Sequence, residues 1–155
     1  MHDDILIAPA TTVDAELLEA MRRLVPQLSA SATAPGPDQL REIVTSGTST
    51  LLLAQDRSLS GRVVGCLTLA VFRIPTGVRA WIEDVIVDAG ARGKGVGEAL
   101  TREALRLAHE RGALTVELTS RPSREAANRL YQRLGFRTRE TNVYRYSWPV
   151  DEDAG

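Results

Sequence analysis

The chain has 155 residues, a formal net charge of −1, 43% hydrophobic and 25% charged residues. That length suits one domain with one sizeable core, and the composition is that of an ordinary soluble protein. The near-zero net charge excludes a general nucleic-acid footprint, and no apolar run reaches the length of a membrane helix.

In chain order, Ile5–Ala8 predicts a short first strand. Val13, Leu17, Leu18, Met21, Leu24 and Val25 then recur at helical spacing, with Asp14 and Glu16 at the dipole-favoured start. Residues 29–37 are rich in Ser, Ala, Thr, Pro and Gly and predict a loop. Leu40, Ile43 and Val44 mark a second short helix over 38–45. Strands are expected at 49–55, 62–72 and 80–87, separated by the turn at 56–61 and a Pro75/Gly77 loop. Such short connections favour an antiparallel meander. Cys66 is the one cysteine, in an apolar run, and reads as a buried small hydrophobe. It forms no internal disulfide, which fits a reducing cytoplasm. The acidic start of the chain gives no sign of a signal peptide.

Residues 92–97 read Arg-Gly-Lys-Gly-Val-Gly, and an apolar stripe starts at once behind them: Val96, Ala99, Leu100, Ala104, Leu107 and Ala108, closed by Gly112. Glycines clear side chains from a helix start, so its unpartnered N–H groups, at the positive end of the dipole, approach a ligand closely. With Arg92 and Lys94 beside them, this is a site for a phosphate or pyrophosphate. Two common readings fail on spacing. A P-loop needs Gly-x-x-x-x-Gly-Lys-Ser/Thr, and a dinucleotide fingerprint needs Gly-x-Gly-x-x-Gly in the first βαβ unit. Gly93, Gly95 and Gly97 follow neither, and they come late in the chain.

A strand at 114–119 follows the long helix. Strand, helix and strand at this length imply a crossover and a parallel pair. Ser123 is placed to cap a helix with the stripe Ala127, Leu130, Tyr131 and Leu134, ended by Gly135 with Phe136 as its apolar contact. Residues 136–139 and 142–148 read as two final strands, and the acidic tail 151–155 as frayed. The expected architecture is one α+β domain over 1–155: a mostly antiparallel sheet with one parallel crossover in its second half.

The sequence resembles the GNAT N-acetyltransferase superfamily, whose signature Arg/Gln-x-x-Gly-x-Gly/Ala joins a strand to a long helix. Arg92 to Gly97 match it. Asn128-Arg-Leu-Tyr131-Gln-Arg-Leu134-Gly135-Phe136 match a second signature about thirty residues on, and the likeness covers roughly 5–148. The resemblance implies an acyl-CoA N-acyltransferase fold with a splayed central parallel pair flanked by helices. It implies acetyl-CoA as co-substrate and no metal. Backbone N–H groups of Arg92, Gly93, Lys94, Gly95, Val96 and Gly97 would grip its pyrophosphate. The open edge of Val85, Ile86 and Val87 would hold the pantetheine arm.

Acyl transfer from a thioester to an amine needs a neutral amine, hence a base. Glu83 and Asp84 lie on the strand leading to the loop. Regular alternation lets only one of them face the cleft, and a bulge changes that. By resemblance Glu83 is the base and Asp84 helps position the acceptor. The Val87 N–H is the family-derived oxyanion donor. By resemblance Tyr131 is the acid for the thiolate and also contacts the CoA, and Asn128, one turn earlier and able to reach the same ligand, contacts its pantetheine or pyrophosphate. The alternatives for these residues are an ordinary core position for Tyr131, an exposed flank for Asn128, and solvated positions for the two acids, Arg92 and Lys94. His2 and His109 stand apart from each other and from Cys66 in sequence, so a Cys/His metal cluster or nucleophile pair has little support. The expected function is transfer of an acetyl group to a primary amine of a small molecule. Trp81 and the loops 29–37 and 73–79 would shape the acceptor pocket. Acidic Glu83 and Asp84 favour a cationic amine, and a homodimer through the final strands fits the family. A protein or peptide N-acetyltransferase and a non-catalytic acyl-CoA-binding module are the alternatives.

Overall fold

The computed structural model describes residues 3–150. His2 lies outside them, and so does the acidic tail 151–155 with the expectation that it is frayed. The chain divides into two compact units, up to Arg121 and from Pro122 on, and each is described by itself.

The first unit holds, in order, β1 (Ile5–Pro9), α1 (Ala15–Leu28), α2 (Pro37–Val44), β2 (Ser49–Asp56), β3 (Arg62–Ile74), β4 (Gly77–Val87), α3 (Val96–Glu110) and β5 (Ala113–Glu117). The strands form one sheet in the order β1-β2-β3-β4-β5. β1 to β4 pair antiparallel, and β4 pairs β5 in parallel through the α3 crossover. This is the expected mostly antiparallel α+β sheet with one parallel pair.

Asp14 is the N-cap of α1: its Oδ1 accepts from the Leu17 N–H at 2.8 Å, which satisfies one of the helix's orphan donors. Pro37 opens α2, where its missing N–H costs nothing; the loop therefore ends one residue earlier than its composition suggests. The apolar stripes of these two helices converge on one sheet face, where Leu17, Met21, Leu24 and Leu40 are buried with Leu51, Val63, Cys66 and Ile86.

α3 lies on the other face. Cys66 points into the α1 cluster, and its neighbour Gly65 faces the opposite way, as alternation requires. A Cβ built on Gly65 would stand 2.9 Å from Val96 Cγ1 and 3.3 Å from Leu100 Cδ1, both in the first turns of α3. β3, flanked by strands on both edges and helices on both faces, is buried without a break over Val63–Leu67, as expected of a strand covered on both sides.

Two sequence expectations change here. The proposed loop at 73–79 is a tight hairpin: Ile74 pairs with Gly77, which leaves only Pro75 and Thr76 in the turn. The ladder extends because β3 and β4 keep pairing past the point where their apolar runs end. β5 also stops at Glu117, two residues short of expectation. β4 outruns it. Its pairing with β5 ends at Trp81–Glu117, whereas its ladder with β3 continues to Val87. The parallel pair therefore parts beyond Trp81.

The second unit contains α4 (Glu125–Arg133). Arg124, not Ser123, holds the N-cap position, and no side chain caps the helix. The helix starts one residue beyond the position from which the Ser123 hydroxyl would reach its first N–H groups. Its other end follows the sequence reading. Gly135 follows the last turn with φ 101°, and the Phe136 N–H donates to Tyr131 O at 2.9 Å, the long-span bond of a Schellman cap. Residues 136–150 contain no strand. Their alternation is real, but alternation builds a strand only where a ladder partner and a buried face exist. Here Tyr144 is 87% and Trp148 80% exposed, and no described strand pairs with them.

Gly65→Ala tests how the sheet seats α3. The new methyl meets the backbone oxygen of Ile86 at 2.9 Å as well as Val96, so neither side yields cheaply. The expected cost is about 1–3 kcal/mol of stability, the usual range for overpacking, read as a lowered urea midpoint at unchanged slope.

Candidate active site

β4 carries a bulge at the position of its two acids. Cys66 pairs with Ile86 and Thr68 with Glu83, so Asp84 and Val85 together oppose the single residue Leu67. Asp84 takes a left-handed backbone, φ 50°, a conformation that costs an L-residue of order 1 kcal/mol. The bulge breaks the pleat's alternation, and both Glu83 and Asp84 are exposed, although only one of two successive strand residues would be so in a regular pleat. Neither forms an ion pair among the described residues. Trp81, half-buried, stands two positions before Glu83, between Ala70 on β3 and Glu117 on β5. Beneath the bulge, burial pushes the Cys66 thiol up to about 12, with the Asp84 charge adding to the effect.

From the bulge on, Val85, Ile86 and Val87 run past the end of β5. Gly65 pairs with Val87 on the β3 side, and no described strand pairs with the other edge there. A short turn, Ala89–Ala91, then leads into residues 92–97. Gly93 and Gly95 sit at φ 79° and 78°. Gly95 is the N-cap of α3, with no side-chain cap, and it accepts the first helical bond, from the Ala99 N–H. The N–H groups of Val96, Gly97 and Glu98 are thus the helix's orphan donors. Arg92 and Lys94 are exposed and form no ion pair among the described residues. Val96 is buried and fixes the C-terminal side of the loop. Thr101, also buried, donates from Oγ1 to Gly97 O at 2.7 Å. Uncapped N–H groups, glycine backbone and two free cations fit a pyrophosphate in chemistry and charge.

The loop's other end is held by a group that sequence reading did not single out. Asp88, the last residue before the turn, takes the Arg23 guanidinium at 2.6 Å on Oδ2 and the Gln27 amide at 3.4 Å on Oδ1. Arg23 also donates to Val63 O at 2.9 Å, and the Ala89 N–H donates to Gln27 Oε1 at 2.9 Å. Partial burial pushes the Asp88 carboxyl up. Bonds from Gln27, the Gly90 N–H and Arg23 outweigh that and hold it below the usual carboxylate range. The Asp-Ala-Gly turn before the loop was a visible signal for Asp88. Its partners on α1 were not, being more than sixty residues away in the chain.

In the second unit, Asn128 and Tyr131 lie one turn apart on α4, both half-buried. The Tyr131 ring meets Phe136 edge-on, centroids 5.7 Å apart. Burial raises the Tyr131 phenol above its ordinary value, against an opposing effect of the Arg124 charge. The structure thus groups Trp81, Glu83, Asp84, Val85–Val87 and 92–97 along β4 and the start of α3, and Asn128 with Tyr131 on α4. His109 lies in the last turn of α3, and among the described residues no cluster of His, Cys, Asp or Glu is arranged to hold a metal. No described helix is long and apolar enough to cross a membrane.

Residues 17–136 match the model of the acetyltransferase (GNAT) family, and the chain belongs to that family. A glucosamine 6-phosphate N-acetyltransferase of Trypanosoma brucei brucei is 37% identical over 87 residues, which make up 54% of this chain and 57% of that protein. An uncharacterised N-acetyltransferase of Methanocaldococcus jannaschii is 39% identical over 61 residues, 39% of this chain and 27% of that one. The matches span less than two thirds of either relative. The crystal structure of a Trypanosoma brucei acetyltransferase superposes with a TM-score of 0.76 at 23% identity, covering 93% of this chain and 100% of that one. It shares the fold.

The raised Tyr131 phenol has a thermodynamic consequence. Its folded-state value lies above the unfolded one, so its contribution is fully present below the ordinary tyrosine value and is lost as pH rises through the folded one. Stability therefore falls in that alkaline window, and Tyr131→Phe makes the fall shallower. Urea midpoints of both proteins between about pH 8 and 11, a range set around the reference value near 10, measure it.

Proposed function

We propose, from membership of the GNAT family, that the chain is an acyl-CoA-dependent N-acyltransferase. It carries the acetyl group of acetyl-CoA to a primary amine of a small molecule by direct attack. The observation that carries the reading is the uncapped, glycine-lined start of α3, with two free cations, at the end of a strand whose edge is open over Val85–Val87. One end of this arrangement suits a pyrophosphate. The other offers backbone groups to an amide-rich arm.

Acetyl-CoA supplies the activated thioester. Glu83 takes a proton from the incoming ammonium, directly or through a water, and frees the nitrogen lone pair. The Val87 N–H donates to the carbonyl oxygen as negative charge develops on it. As the new C–N bond forms and the C–S bond breaks, Tyr131 gives its proton to the departing sulfur, and the second proton of the acylated nitrogen passes through water to the phenolate and restores it. A phenol whose value is raised by burial stays protonated at neutral pH and is available for that step. Asn128, one turn before Tyr131, contacts the pantetheine or pyrophosphate. Asp84 and Trp81 orient the acceptor. Two exposed, unpaired carboxylates beside each other favour an acceptor that arrives as a cation. The relative named for glucosamine 6-phosphate supports a small amine as acceptor.

Thiol release from acetyl-CoA, followed with a panel of free amines, amino acids and short peptides, tests the reading. The expected outcome is acceleration by a small cationic amine. Acceleration by peptides alone moves the acceptor class to proteins, and binding of acetyl-CoA with no acceleration by any amine leaves a binding module. Tyr131→Phe is expected to lower kcat by about 10²- to 10⁴-fold, the span of general acid catalysis, with acetyl-CoA affinity within about twofold. Turnover unchanged across the pH range removes Tyr131 as the acid.

A further inference from the structure

We propose that Arg23 and Gln27, on the last turns of α1, are positioning residues for the donor loop and act on it through Asp88. The inference rests on the acyl-CoA reading and deepens it. Between two fixed points the chain is exposed at Ala89, Gly90 and Arg92 to Gly95, with Ala91 buried among them. On the α3 side the fixed point is Val96, buried against β3 beside Gly65. On the β4 side it is Asp88, and everything that fixes it converges from α1 and β3.

The contacts define a direction as well as a place. Arg23 bridges β3 and the residue just past β4, since one end nitrogen holds Asp88 Oδ2 and the other holds Val63 O on β3. The Asp88 N–H donates to Val64 O at 2.8 Å, so side chain and main chain of Asp88 are tied to the same stretch of β3. Gln27 works in both directions: its amide nitrogen reaches Asp88 Oδ1, and its oxygen accepts from the Ala89 N–H. Asp88 then caps the turn that follows, through Gly90 N–H at 3.5 Å and its own carbonyl, which accepts from Ala91 at 2.8 Å. The path of hydrogen bonds from α1 runs through Asp88 to Ala91, the residue before the loop.

Arg23 and Asp88 keep only 17% and 18% of their side-chain surface in solvent, so removing one partner costs some stability. The apolar α1 core does not include either residue, so the loss falls first on the end of the loop that the pair holds, and urea midpoints of the variants check that the sheet stays folded. The N–H groups of 93–97 must point at one small anion together, and a tilt at one anchor misaims them. The effect falls on donor affinity, not on the chemical step, because neither residue touches the reacting atoms.

A double-mutant cycle with Arg23→Gln and Asp88→Asn tests this, read by calorimetric titration with acetyl-CoA and by KM and kcat. Each single variant is expected to raise Kd and KM for acetyl-CoA about tenfold, a typical value for losing a charged hydrogen bond, with kcat at saturation within about twofold. The double variant is expected to be no weaker than the worse single one. Gln27→Leu should weaken binding in the same sense, and Arg23→Lys, which reaches Asp88 but not Val63 O as well, should recover part of the loss. Arg41→Gln breaks the exposed pair with Asp38 on α2 and serves as the control, with affinity unchanged. Folded variants that bind as tightly as the parent, additive losses, or a loss confined to kcat overturn the proposal. If the parent chain itself does not bind acetyl-CoA, the donor reading fails first, and that outcome is distinct from parent binding with unaffected variants.

Discussion

The start of α3 sits where it does because β3 offers no side chain at Gly65. Val96 and Leu100 occupy the space a Cβ would fill, and that brings the helix's positive end down to the level of the last residues of β4. A larger residue at 65 would lift the helix and carry its N–H groups away from the strand edge. The placing of these N–H groups is therefore a consequence of packing on β3 as much as of the glycines in the loop itself. The same contact makes Val96 an anchor, since a side chain buried at the first helical position leaves that end of the loop no freedom to swing.

β4 does two jobs on two stretches. Up to Trp81 it is an interior strand with partners on both sides; beyond Trp81, among the described residues, only β3 pairs with it. The bulge falls just after this change, where the ladder on one side has gone and the remaining pairing tolerates two residues opposite one. The backbone at Asp84 is in a conformation that L-residues avoid, and such strain persists only where surroundings over-determine it. What it achieves is the display of two neighbouring carboxylates on one strand, which a regular pleat forbids.

The parts of this site that were legible in the sequence are those fixed locally. The loop at 92–97 and the Gly135–Phe136 cap follow from residues within one or two turns of each other, and both appear where the pattern puts them. The bulge was legible only as a possibility, because its register depends on β3, fifteen residues away. The Arg23–Asp88 pair is invisible to any local rule: it joins residues 65 apart through the way α1 folds over the sheet. The final strands show the reverse failure. Val143, Tyr144, Tyr146 and Trp148 have the composition and alternation of strands, yet strand geometry is a property of a pair, and one chain segment read alone supplies half of it.

Cys66 lies under the bulge, 3% exposed, and is the one cysteine of the chain. The thiolate is the reactive form of cysteine, and with a value of about 12 almost none of it forms near neutrality. The protein is therefore silent toward disulfide exchange and alkylating reagents while folded. A chromogenic thiol reagent added to the folded protein draws no signal from the polypeptide, so any thiol it reports comes from another molecule in the assay. Conversely, labelling of Cys66 is a direct clock for opening of the sheet beneath Glu83 and Asp84, with no engineered probe required.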